Sequence, residues 1–124
     1  MRLDIDCVRD ILLAVEEKGF RETFSINDLK EITHYSSDQI EYTCFKLSEA
    51  DYLDITTVTM SGGIGVAIHS VNELTYQGHE FLGNITSKKV FDKTKSICRE
   101  IGIASLQGIS QVAASVVTSF IQPK

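Results

Sequence analysis

The stretch from Leu53 to Gly78, LDITTVTMSGGIGVAIHSVNELTYQG, changes period twice, and its reading sets the architecture. Leu53-Asp54-Ile55-Thr56-Thr57-Val58-Thr59-Met60 is rich in β-branched residues and predicts a strand. Ser61-Gly62-Gly63-Ile64-Gly65 predicts a flexible hairpin turn, because glycine reaches positive φ without steric cost. Val66-Ala67-Ile68-His69-Ser70-Val71 predicts the returning strand, closed by Leu74. Thr75 then predicts an N-cap for a helix running through Phe81 and Leu82. Gly78, inside that helix's first turn, allows close packing against a neighbour.

Upstream the apolar period is helical. Ile5, Val8, Ile11, Leu12 and Val15 form one face, with Asp4 or Asp6 as the cap and Gly19 as the stop. Ser25, with Asp28 three residues on, predicts a capping box for a short helix whose Ile26, Leu29 and Ile32 face inward. His34-Tyr35-Ser36 predicts a turn. Ser37 predicts the cap of a third helix whose inner face is Ile40, Thr43, Cys44 and Leu47, ending near Ala50-Asp51. Helix, short helix, helix, hairpin, helix is the order of an α+β winged helix-turn-helix domain. We therefore expect a winged-helix-like domain at residues 1–85 and a C-terminal helical extension at 86–124. The Leu74-Thr75-x-x-Gly78 step from hairpin to helix is common in such domains.

The extension contains Val90 to Glu100, with Val90, Phe91, Thr94, Ile97, Cys98 and Ile101 at helical spacing. From Ile101 to Ile121 there is no charged residue, long enough to raise the question of a membrane anchor. Interruption by Ser105, Gln107, Ser110, Gln111, Ser115 and Ser119 argues against insertion. A stripe of Leu106, Ile109, Val112, Ala113, Val116, Val117 and Phe120 instead predicts a helix that packs on its own domain or on a second copy, so that a homodimer is an expected assembly.

Several stretches together resemble an uncharacterised family of small proteins of bacteria and their phages, a domain of unknown function. They are Leu3-Asp4, Val8-Arg9-Asp10-Ile11-Leu12-Leu13 and Glu16, then Ile40 to Leu47 with Ala50, then Leu74-Thr75-x-x-Gly78-His79-Glu80-Phe81-Leu82, then Val90-Phe91-x-x-Thr94-Lys95. Where relatives often carry Trp, this chain has Phe91, which keeps the aromatic anchor and loses the indole donor. The resemblance implies a winged-helix-like fold and genes lying in prophages or other mobile elements. It implies no activity and no site residues.

Composition narrows the function. The 124 residues suit one hydrophobic core, and a mean hydropathy of +0.01 suggests that some apolar surface meets a partner. The net charge of −5 argues against a general binder of nucleic acid or anionic membranes. Residues 1–60 hold six bases against thirteen acids, a net of −7. The outward positions of the third helix include Asp38, Gln39, Glu41, Tyr42, Lys46 and Glu49, a poor set for reading bases. We expect Asp38, Glu41, Tyr42 and Glu49 to form an acidic face for a protein partner, as in an inhibitor of a host nucleic-acid or defence machine. Lys88, Lys89, Lys93, Lys95 and Arg99 crowd one stretch opposed only by Asp92, the place where DNA phosphates would bind if the chain were a transcriptional regulator. The self-association helix would use Leu106, Ile109, Val112, Val116, Val117 and Phe120. Cys7, Cys44 and Cys98 form no C-x-x-C, and His34, His69 and His79 lack metal-ligand spacing. We expect no enzyme, no cofactor and no metal. Acids at Asp4 and Asp6, where a secretion signal needs bases, point to the cytoplasm.

Overall fold

The computed structural model describes residues 1–121. It is a mixed α+β structure of six helices and one antiparallel hairpin. The helices are α1 (Ile5–Glu17), α2 (Ile26–Thr33), α3 (Ser37–Glu49), α4 (Tyr76–Ile85), α5 (Lys88–Ile101) and α6 (Leu106–Ile121), and the strands are β1 (Leu53–Thr59) and β2 (Val66–Leu74).

The caps follow the sequence closely. Asp4 accepts the amides of Asp6 and Cys7, and Ser25 and Asp28 form a reciprocal capping box. Thr75 accepts the Gly78 amide at 3.0 Å. One cap differs: Ser36, not Ser37, is extended and accepts the Gln39 amide, leaving Ser37 as the first helical residue. Leu29 is buried, but Ile32 is half exposed, because it lies on the last turn of a two-turn helix as the chain leaves for α3.

β1 and β2 pair from Leu53↔Leu74 to Thr59↔Val66. A single 3-10 turn at Ser61–Gly63 joins them, and the Met60 amide donates to the Gly65 carbonyl at 2.8 Å. Beyond β2, the Phe24 and Val71 main chains exchange two hydrogen bonds of 2.9 and 2.7 Å. The entry to α4 is pinned to the turn before β1. The Thr75 hydroxyl donates to the Asp51 carbonyl at 2.6 Å, and its amide donates to the Tyr52 carbonyl at 3.2 Å. Tyr52 also stacks on Phe81, ring centroids 4.9 Å apart.

The uncharged run after Ile101 is helical from Leu106 on, where the predicted stripe begins. Gly102, at φ +78°, ends α5 in the left-handed conformation, and α6 begins only at Leu106. The chain folds back, so Leu106, Ile109, Ala113 and Val116 are buried. One core cluster runs from Cys7 to Ala113 and takes in α1 through α6.

Long-range polar ties join α1 to the C-terminal helices. Arg9 donates to the Ile85 and Thr86 carbonyls at 2.9 and 2.7 Å, and its guanidinium lies 5.0 Å from the centre of the Phe91 ring. Lys95 reaches the Asp6 carboxylate at 2.9 Å. Thr94 is fully buried and its hydroxyl has no partner among the described residues. A buried unsatisfied hydroxyl costs about 1 kcal/mol or more. Thr94→Val keeps the shape and removes that cost, so the urea midpoint should rise by the equivalent of about 1 kcal/mol. A fall in the midpoint would show that the hydroxyl is bonded.

Candidate functional site

The inner residues of α3, Ile40, Thr43, Cys44 and Leu47, are fully buried, which turns the opposite side toward solvent. Asp38 and Glu49 are exposed there. Glu41 is only half-buried surface: its carboxylate accepts the Ile68 amide at 3.0 Å and ties α3 to β2. Gln39 donates to Asp4 at 3.1 Å. Lys46 pairs with Glu49 at 3.2 Å and sits 5.6 Å from the Tyr42 ring centre. Lys46, the base that α3 itself contributes, is therefore matched locally by an acid and an aromatic ring.

Tyr42 and Glu49 also line a groove of about 790 Å³. Its far wall is the N-terminal arm, Met1-Arg2-Leu3, and its floor is the α5–α6 connection around Ala104 and Leu106. A smaller hollow of about 380 Å³ shares Arg2 and Leu3 of the arm and is lined also by Cys98 and Arg99. Sequence reasoning missed this groove. Its walls come from opposite ends of the chain, and no local pattern records their meeting.

The basic stretch is divided by helix geometry. Lys89 and Lys93, four residues apart, flank the Phe120 ring of α6 at 4.8 and 5.9 Å from its centre. Lys88 pairs with Asp92 at 3.2 Å. Lys95 is turned toward α1, pairing with Asp6 and covering Phe91. Arg99 is exposed at the edge of the smaller hollow. The five cations thus do not converge on one surface. Of the stripe expected to self-associate, Leu106, Ile109 and Val116 are buried within the chain, Val112 and Val117 are partly buried, and Phe120 is exposed.

The three thiols are buried. Burial pushes Cys7 up to about 11 and Cys44 up to about 12, and raises Cys98. Burial also raises the Tyr35 phenol, which donates to Asp10 at 2.8 Å. None of these groups is activated as a nucleophile. The folded chain keeps protons that an unfolded chain releases near pH 9, so their stabilisation is complete below that pH and lost as pH rises through the folded values. The urea midpoint should accordingly be lower at pH 10 than at pH 7. An unchanged midpoint would contradict the burial of these groups.

Among the described residues, no cluster of three or more His, Cys, Asp or Glu side chains could hold a metal ion. Likewise, no described helix is long and apolar enough to cross a membrane. No curated protein matches the chain, and no solved structure matches it. A family profile does match, over residues 2–104, and covers the arm, the α3 face, the hairpin and α5 together. The chain belongs to the family described as Hypothetical protein (DUF2513), a domain of unknown function.

Proposed function

We propose that the chain is a non-enzymatic, winged-helix-like module that acts by binding a protein through the α3 face. The carrying observation is the chemistry of the surface where such a module would meet nucleic acid. Exposed Asp38 and Glu49 stand there, and Lys46 is spent on Glu49 and Tyr42. The hairpin adds no base, since residues 55–68 are uncharged. Phosphates would be repelled, whereas a basic protein surface would be attracted and steered. A surface built to hold nucleic acid has that sign. With the mobile-element kinship that the resemblance implies, an inhibitor of a host nucleic-acid or defence machine is the case it fits.

The test pairs two measurements. Affinity capture from a host lysate should retain a basic protein at low salt, and Asp38→Lys with Glu49→Lys should abolish retention while leaving the fold intact. Duplex DNA should show no mobility shift at about 50 mM salt. A second reading, a DNA-binding regulator, draws on Lys89, Lys93 and Arg99, which make no ion pair among the described residues. A shift at about 50 mM salt that disappears in Lys89→Glu, Lys93→Glu would favour it and overturn the first.

A further inference from the structure

We propose that the two hollows beside the N-terminal arm form one binding site for a small amphipathic carboxylate, of the chemical class of a medium-chain fatty acid. The hollows share Arg2, Leu3, Gly102 and Ala104. Their volumes, about 790 and about 380 Å³, fall within the range of roughly 300–1,000 Å³ in which small-molecule sites lie.

Two kinds of side chain line them. Leu106 in the larger hollow, and Cys98 and Ile109 in the smaller, belong to the buried core, with Leu3, Ile5 and Ile103 partly buried beside them. This apolar lining comes from the arm, α1, α5, α6 and the connection before α6. Cations stand at its edge. Arg2 and Arg99 are exposed, both line the smaller hollow, and neither makes an ion pair among the described residues. Lys95 lines it as well, but Asp6 meets its charge at 2.9 Å. Among the described residues no Asp or Glu lines the smaller hollow, and Glu49, the acid lining the larger one, is paired with Lys46.

Charge selects the ligand. The chain carries a net of −5, and its first sixty residues a net of −7, so two guanidinium groups without a carboxylate at one concavity run against the sign of the molecule. A guanidinium presents a planar fork that a carboxylate fits with two parallel hydrogen bonds. Beside apolar walls that pairing is less screened than on an open surface. Acetate would satisfy the arginines and leave the apolar walls wet. A neutral alcohol would cover the walls and leave the arginines unmatched. A carboxylate on a hydrocarbon chain does both, and its burial contributes in proportion to the apolar area covered. The site is independent of the reading of α3 as a protein-binding face, which uses neither Arg2 nor Arg99.

Calorimetric titration of the full chain with decanoate, decanol and acetate tests this. Decanoate should saturate one site per chain, with decanol and acetate each weaker by about tenfold or more. Arg2→Gln with Arg99→Gln should weaken decanoate by about tenfold or more, with circular dichroism confirming the fold. Lys89→Gln with Lys93→Gln should leave its affinity unchanged. Cys98 locates the ligand, because it lines the smaller hollow while Cys7 and Cys44 are fully buried. Saturating decanoate should slow the modification of Cys98 by a maleimide several-fold, and Cys98→Ser should remove that signal. Failure of decanoate to bind overturns the proposal, and so does equal binding of decanol or equal binding by the double arginine variant. Binding that leaves Cys98 labelling unslowed also overturns it, since the ligand then lies elsewhere.

Discussion

Gly78→Ala should destabilise the protein by about 3 kcal/mol, although alanine is the better helix former. A Cβ at Gly78 would collide with the Tyr52 carbonyl oxygen and would stand 2.9 Å from the carbonyl carbon. This is backbone, not the end of a side chain that could swing away. It is further held by the Thr75 amide on the same oxygen and by the stack of Tyr52 on Phe81. Relief requires α4 to move off the β1 turn, which would also disturb the burial of Phe81, Leu82 and Ile85. Gly83, in the same helix, provides the control: nothing lies within 4 Å of a Cβ there. Gly83→Ala should stabilise by about 0.5–1 kcal/mol through backbone entropy. Opposite shifts of the urea midpoint for two identical substitutions five residues apart are the expected result. Equal shifts would mean that α4 does not sit against Tyr52.

Ile109→Ala carries the second large effect, a loss of about 2–5 kcal/mol. Ile109 is 3% exposed, in the core cluster with Leu106 and Ala113. Truncation leaves a cavity between α6 and the helices beneath it. The solution mass should not change, because this side chain is buried inside one chain. Val117→Ala, at a partly buried position on the same helix, should cost far less. A changed mass with unaltered stability would instead make the α6 stripe a contact between copies.

Features governed by neighbours in sequence were legible. The Asp4 cap, the Ser25–Asp28 box, the Thr75 cap and the hairpin each depend on residues two to five positions apart or on local period. The need for a small residue at Gly78 was legible as well, though not the identity of the carbonyl it meets. Ser36 and Ser37 are chemically the same, and local sequence does not tell which becomes extended. The break at Gly102 was hidden in an apolar run, since lack of charge persists through a turn as easily as through a helix. What the candidate face does was least legible. Glu41 meets β2 across 27 positions and Lys95 meets Asp6 across 89, so neither is free in the way its helical position alone suggests. Charge signs survived this rearrangement better than charge locations did, since Asp38 and Glu49 stay exposed on α3 while Lys46 is paired with Glu49.

The ties from Arg9 to the Ile85 and Thr86 carbonyls, and from Lys95 to Asp6, have a consequence for biosynthesis. A ribosome that has released the chain only through α4 has made β1, β2 and the first four helices, yet the side of α4 that receives α5 and α6 is still bare. Such a nascent chain shows chaperones an oily surface until translation delivers α5 and α6, so burial of that side must wait for those two helices.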